Sequence, residues 1–212
     1  MAEREGGNGR DNRVKNASMT HLSNIAVFCG SKLGADPRHA EDARAFGRAL
    51  VERSIRLVYG GGRIGLMGVL ADTVLEAGGE VVGVIPDFLR AYEVEHKGVT
   101  ELHEVGSMHE RKSRMFAVAD AFVVLPGGLG TLDEMIEIIT WKQLRLHAKP
   151  VVVFDSTGYW LPFKALVDAT IEGGFAHAKA RELFGVATTI DGVFEAIAAA
   201  PEPAAEVLES HL

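Results

Sequence analysis

Two carboxylates stand directly behind a glycine-rich turn in the segment Leu125-Pro126-Gly127-Gly128-Leu129-Gly130-Thr131-Leu132-Asp133-Glu134. An apolar run covers positions 121–124 and an amphipathic run covers 135–146, so the segment reads as strand, turn and helix start. A helix start offers unpaired backbone N–H groups and the positive end of the helix dipole, which suits a phosphate. Glycines let that phosphate come close to the backbone. Phosphate binding alone has little need of acids. A carboxylate beside a bound sugar phosphate can stabilise a developing cation or accept a proton from water. Asp133 and Glu134 also have a purely structural explanation. Thr131…Glu134 fits a capping box, and acids are favourable in a first helical turn. That explanation leaves the crowding of glycines unaddressed.

A second chemistry-bearing stretch is Met108-His109-Glu110-Arg111-Lys112-Ser113-Arg114-Met115. Met108, Met115 and Ala119 share one helical face, and Arg111 and Lys112 interrupt it. Snorkelling at a core edge would account for two bases there, but an anion- or substrate-facing role fits better. Arg114 points elsewhere. His96, His103 and His109 show no ligand spacing, and neither CxxC nor HExxH occurs, so no metal site is expected.

Two further strand ends carry polar or glycine-rich turns, Cys29-Gly30-Ser31 and Tyr59-Gly60-Gly61-Gly62-Arg63-Ile64-Gly65. Ser31 and Gly61 are candidate ligand contacts. Gly60-x-Gly62-x-x-Gly65 formally matches a dinucleotide fingerprint, but it sits on the second strand–helix unit and the next strand lacks the usual terminal acid. It reads equally as a tight turn with close helix packing or as a ligand-facing loop. With no Gly-x-Ser-x-Gly elbow and no Gly-Lys-Ser/Thr ending, neither a serine hydrolase nor a P-loop ATPase is indicated.

The elements that must position these residues alternate. Strands are expected at 25–29, 56–59, 80–85, 120–125, 151–154 and 186–190. Helices are expected at 37–53 (Asp36 as N-cap), 65–77, 107–119 (capped by Ser107 and Glu110), 131–146, 161–172 and 191–199. Residues 87–106 give no clear pattern. Val- and Ile-rich strands separated by helices predict an α/β protein, a doubly wound parallel sheet with helices on both faces. Ligands then bind beyond the carboxyl ends of the strands, which is where all three turns fall. Trp141 is expected in the core. Thr140 shares a side of its helix with Asp133 and Glu137 and is placed to line a cleft.

The 212 residues, 47% of them apolar, suffice for one domain at 23–200. Residues 1–22 read as a disordered polar tail with Met19 as a candidate start, and 201–212 as a second tail. The net charge of −7 argues against a nucleic-acid partner. No apolar run reaches the roughly 18 residues that span a bilayer. The single cysteine, Cys29, fits a cytoplasmic, reducing setting.

These motifs together resemble one family. Residues 126–134 fit the PGGxGTxxE signature of the LONELY GUY (LOG) phosphoribohydrolases, long mislabelled as lysine decarboxylases. The Met-His-Glu-Arg-Lys segment at 108–112, Tyr-Gly-Gly-Gly at 59–62 and Gly-Leu-Met-Gly at 65–68 are similar too, over roughly residues 23–195. The resemblance implies a Rossmann-like fold, a homodimer, and no metal or organic cofactor. It implies hydrolysis of the N-glycosidic bond of an adenosine 5′-monophosphate, N6-substituted or not, to free base and ribose 5-phosphate. By resemblance, Arg111 and Glu134 are catalytic. Glu93, Lys112, Gly127, Gly128, Leu129, Gly130, Thr131, Leu132, Asp133 and Thr140 contact substrate, Glu93 by context rather than motif. Asp133 departs from the family's frequent Glu by one methylene. In this mechanism Glu134 stabilises oxocarbenium character at the ribose or activates water. Arg111 anchors the phosphate, orients Glu134, or both, and favours its ionised form. An AMP nucleosidase of general salvage and a nucleotide-binding module without chemistry are the alternatives.

Overall fold

The computed structural model describes residues 22–90 and 95–201. Seven parallel strands form one sheet in the order β4-β3-β2-β1-β5-β6-β7. They are β1 (Asn24–Phe28), β2 (Arg56–Tyr59), β3 (Val81–Pro86), β4 (Glu101–Val105), β5 (Ala121–Val124), β6 (Val151–Phe154) and β7 (Gly185–Ala187). The helices between them are α1 (Arg38–Glu52), α2 (Gly65–Glu76), α3 (Met108–Val118), α4 (Leu129–Gln143), α5 (Leu161–Glu172) and α6 (Ile190–Ala198).

The period-2 geometry of a strand splits each one between two cores. Ile25 and Val27 of β1 face one side with Leu57, Val123 and Val152, and α1, α2 and α6 cover it through Phe46, Leu70 and Val193. Ala26 and Phe28 face the other with Val58, Phe122 and Val153, where α3, α4 and α5 contribute Met115, Met135 and Phe163. Both faces are thus buried, as the apolar strands require. Among the described residues no helix is long and apolar enough to cross a membrane.

The strand order reverses between β1 and β5. The chain winds outward from β1 to β4, returns through α3, and lays β5 against β1, with Ile25 opposite Ala121 and Phe28 opposite Val124. The loops after β1 and β5 diverge over opposite faces from this seam. That opens the crevice in which such sheets bind ligands.

Four local expectations are corrected. Residues 87–106, left unassigned above, contain the edge strand β4. It pairs Val82 with Glu101 and Pro86 with Val105, and its exposed Glu101 and Glu104, with the half-buried His103 between them, hide the strand signal while suiting a sheet edge. Helix α1 begins at Arg38 rather than 37, although Asp36 Oδ1 still accepts the Arg38 N–H at 3.0 Å. Strand β7 is the short Gly185–Ala187 rather than 186–190. Helix α4 starts at Leu129, two residues before the expected start, with Gly128 as its N-cap and no side-chain cap. The proposed Thr131…Glu134 capping box therefore does not exist: Thr131 lies within the first turn, and Asp133 and Glu134 fall in the second. The Ser107 cap of α3 does form. Its Oγ accepts the Glu110 N–H at 3.1 Å, while Glu110 reaches back to the Gly106 N–H at 2.9 Å. The tails proposed at 1–22 and 201–212, save Leu22 and Pro201, and Glu93 lie outside the described residues.

Candidate active site

Gly30 is the junction of the crevice. Its N–H donates to the Pro126 carbonyl at 3.0 Å, joining the loops after β1 and β5. Its own carbonyl accepts the N–H groups of Leu66 and Met67, at 3.0 and 3.3 Å, at the start of α2. Those amides are the ones a phosphate would need, so the start of α2 is not an anion site. The glycines there serve packing. A Cβ at Gly65 (φ +63°) would lie 2.2 Å from the Ser31 carbonyl carbon. In the ambiguous Gly60-x-Gly62-x-x-Gly65 match, Gly65 thus serves a tight turn with close helix packing, while Gly60 faces the cavity described next. Gly61 does not line that cavity, and its carbonyl accepts the His96 N–H at 3.0 Å.

The start of α4 opens on a cavity of about 740 Å³. Its walls include Ser31 and the 32–36 loop after β1, Gly60 after β2, Met108 and Arg111 of α3, residues 126–131 and Glu134, and residues 157–159 after β6. Leu66, Met67, Leu89 and Met108 give it apolar surface. The glycines of the turn divide by role. Gly127 is required internally, because a Cβ there would lie 2.1 Å from Thr131 Oγ1. At Gly128 and Gly130 a Cβ would meet nothing within 4 Å. Their lack of a side chain keeps open the space in front of the α4 amides.

Glu134 and Arg111 meet on the cavity wall. Arg111 Nη1 lies 4.0 Å from Glu134 Oε1, and the two side chains are only 6% and 9% exposed. Nη2 of Arg111 donates to the Gly60 carbonyl at 3.0 Å. Gly60 has to be glycine for this to happen, since a Cβ would fall 1.8 Å from that nitrogen. Arg111 comes from the buried face of α3, beside Met115, as the interrupted stripe predicts. Burying a guanidinium and a carboxylate together is tolerable only as a pair with further hydrogen bonds. The arrangement places one negative and one positive group beside a helix N-terminus in a partly desolvated cleft.

The remaining predicted residues separate into two sets. Ser31, Gly127, Gly128, Leu129, Gly130 and Thr131 line the cavity with Arg111 and Glu134. Lys112, Leu132, Asp133 and Thr140 do not. Lys112 Nζ pairs with Asp133 Oδ2 at 3.1 Å and Glu137 Oε2 at 3.0 Å on the outer side of α3 and α4. Burial works against its charge, but the Glu137 and Asp133 carboxylates outweigh it, so its pKa lies above the ordinary lysine value. Thr140 is exposed one helical turn beyond Glu137. Trp141 is half-buried, edge-on to Phe116 at 5.2 Å. Among the described residues no cluster of three or more His, Cys, Asp and Glu side chains is placed to hold a metal ion.

Sequence reasoning missed the wall after β6, and with it Tyr159, whose hydroxyl donates to the Gly127 carbonyl at 2.6 Å. It missed His39, a buried ring that lines the same end of the cavity. The strand-end rule applied to Phe154 would have reached Tyr159. His39 had no such signal.

A sheet wound both ways from β1, with its cavity over the seam, defines a Rossmann-like α/β protein. The molybdenum cofactor carrier protein of Chlamydomonas reinhardtii shares that fold, with a TM-score of 0.62 at 21% identity over 84% of this chain and 96% of that one. The chain belongs to the LOG family, whose sequence model bears the description "Possible lysine decarboxylase" and matches residues 67–197. The cytokinin riboside 5′-monophosphate phosphoribohydrolase of Rhodococcoides fascians is 42% identical over 174 residues, 82% of this chain and 88% of that protein. The enzyme LOG of Oryza sativa subsp. japonica is 46% identical over 165 residues, 78% of this chain and 68% of that protein.

Proposed function

We propose that the protein hydrolyses the N-glycosidic bond of an N6-substituted adenosine 5′-monophosphate, releasing the free base and ribose 5-phosphate. The observation that carries this is the buried Arg111–Glu134 pair, 4.0 Å apart, beside a helix N-terminus kept open by Gly128 and Gly130. The names of relatives more than 40% identical support it.

In this reading the first amides of α4 hold the 5′-phosphate. Breaking the bond between C1′ and the base leaves positive charge on the ribose. The Glu134 carboxylate faces that charge, or takes the proton of the attacking water while the departing base gains one. Arg111, fixed by Gly60, sets the position of Glu134. The apolar wall of Leu66, Met67, Leu89 and Met108 provides surface for the base and its substituent. The protein works as a homodimer in a cytoplasmic setting. What supports the dimer is the set of family contact residues left outside the cavity, Lys112 of α3 and Asp133 and Thr140 of α4, together with the half-exposed Ile136 of α4. A second copy would bring that surface to a substrate.

The test is base release from AMP and from N6-isopentenyl-AMP, followed by chromatography. Faster release from the prenylated nucleotide is expected. Equal or faster release from AMP points to a general nucleosidase, and binding without release to a non-catalytic module. Glu134→Gln should lower kcat by about 10²–10⁴-fold with folding intact. Retention of most of the turnover would remove Glu134 from the chemistry.

A further inference from the structure

The carbonyls of two successive residues in the glycine turn are held from opposite sides of the crevice. The Pro126 carbonyl accepts the Gly30 N–H from the loop after β1, at 3.0 Å. The Gly127 carbonyl accepts the Tyr159 O–H from the loop after β6, at 2.6 Å. All peptide bonds described are trans, and in a trans peptide the N–H points opposite to the C=O. Fixing those two carbonyls therefore fixes the directions of the Gly127 and Gly128 N–H groups. The first is set backbone to backbone. The second depends on one side chain.

That dependence matters because the peptide between Gly127 and Gly128 has a glycine on each side, so neither a Cβ nor a restricted φ opposes its rotation. Rotated, it would present a carbonyl oxygen where an N–H stood, and a carbonyl repels a phosphate. Tyr159 is well placed to prevent this. Its loop is anchored by the buried Asp155, which accepts the Trp160 N–H at 3.0 Å and donates its own N–H to Ala187 at 2.8 Å. Its ring stands edge-on between His39, at 5.5 Å, and Trp160, at 4.9 Å. The hydroxyl is delivered by a rigid ring on an anchored loop.

We infer that Tyr159 is a positioning residue for substrate phosphate: its hydroxyl holds the Gly127 carbonyl and so keeps the Gly128 N–H turned toward the phosphate of the bound nucleotide. The inference rests on the reading of the glycine turn as the phosphate seat. It adds a residue outside the signature motifs, on the far side of β5, to the machinery that distinguishes a nucleotide from a nucleoside. Its effect is on binding of the phosphorylated part, common to ground and transition states, and not on bond breaking.

The experiment compares wild type with Tyr159→Phe, which keeps the ring packing and deletes only the hydroxyl, and with Tyr159→Leu, which deletes both. Binding of ribose 5-phosphate and of free adenine is measured alongside kcat and KM for the nucleotide. The expected result is a KM and a ribose 5-phosphate Kd raised about five- to tenfold in Tyr159→Phe, the range for one lost hydrogen bond. Adenine affinity should be unchanged and kcat within about twofold. Tyr159→Leu should show at least the same phosphate defect. If wild type binds ribose 5-phosphate in competition with the nucleotide and Tyr159→Phe binds it equally well, the positioning role is wrong. A parallel fall in kcat and adenine affinity with a lowered Tm would also overturn it, by showing a general packing role. If ribose 5-phosphate does not compete in wild type, the phosphate seat itself is misassigned.

Discussion

Gly60→Ala tests how the Arg111–Glu134 pair is held. Position 60 lies at the end of β2, far in sequence from either residue, and its carbonyl accepts from Arg111 Nη2 at 3.0 Å. An added Cβ would sit 1.8 Å from Nη2, 3.0 Å from Cζ and 3.2 Å from Met67 Sδ. To regain ordinary contact of about 3.5 Å the guanidinium must retreat by roughly 1.7 Å. All three crowded atoms lie toward the ends of flexible side chains, so the backbone can stay in place and the chain should fold. The lost hydrogen bond to a charged donor costs about 1.5–3 kcal/mol, offset by roughly 0.4–1 kcal/mol of reduced unfolded-state entropy. Tm should fall by only a few degrees. Activity should suffer more. A displacement of about 1 Å in a positioning group can cost around 10²-fold, equivalent to about 2.7 kcal/mol. The assay is kcat/KM for base release in wild type, Gly60→Ala, Arg111→Ala and the double variant. If Gly60 acts through Arg111, the double variant is no worse than Arg111→Ala alone. Full additivity, or a Gly60→Ala enzyme within threefold of wild type, would refute the reasoning.

Two other variants probe features away from that contact. Gly128→Ala puts a methyl group into open space, so Tm should hold or rise slightly while KM for the nucleotide rises several-fold; an unchanged KM would mean that nothing approaches this turn. Lys142→Met removes a lysine 1% exposed, on the face of α4 that carries Met135 and Ile138. Burial holds its pKa below the ordinary lysine value, so the unfolded chain binds the proton more tightly than the folded one, and wild-type stability climbs as pH rises through the depressed pKa toward about 10.4. The methionine variant should therefore be more stable at neutral pH, by about 1 kcal/mol or roughly 2–4 °C. Its advantage should shrink toward pH 10, and thermal melts across that range check both statements.

Most of the fold was legible because its signals are local and repeated. The Val- and Ile-rich runs at β1, β2, β3, β5 and β6 are buried on both faces, so no polar alternation blurs them. Ser107 announces α3, and Gly78 closes α2. β4 escaped because an edge strand is partly solvated and carries Glu101, His103 and Glu104 where an interior strand carries valine. The α4 start was misplaced because Thr131 and Glu134 imitate a cap while the real cap, Gly128, has no side chain to announce it. In the site, Arg111 was legible as a base on an apolar face, and Glu134 by its place behind the glycines. Tyr159, His39 and the Gly60–Arg111 contact were not. Each depends on which strand ends become neighbours, and that is decided by strand order, not by any local pattern.

The seam between β1 and β5 gives the cavity a history as well as a location. Gly30 and Pro126 are nearly a hundred residues apart, and β2, β3, β4 and the three helices α1, α2 and α3 lie between them in the chain. The cavity is not assembled until that long-range pairing is made, so competence to bind depends on a contact with a large loop-closure cost. A ligand seated across the seam consequently ties the winding-out half of the sheet to the winding-back half. Its binding energy is expressed as resistance of the entire sheet to unfolding, in proportion to the logarithm of its concentration over its Kd.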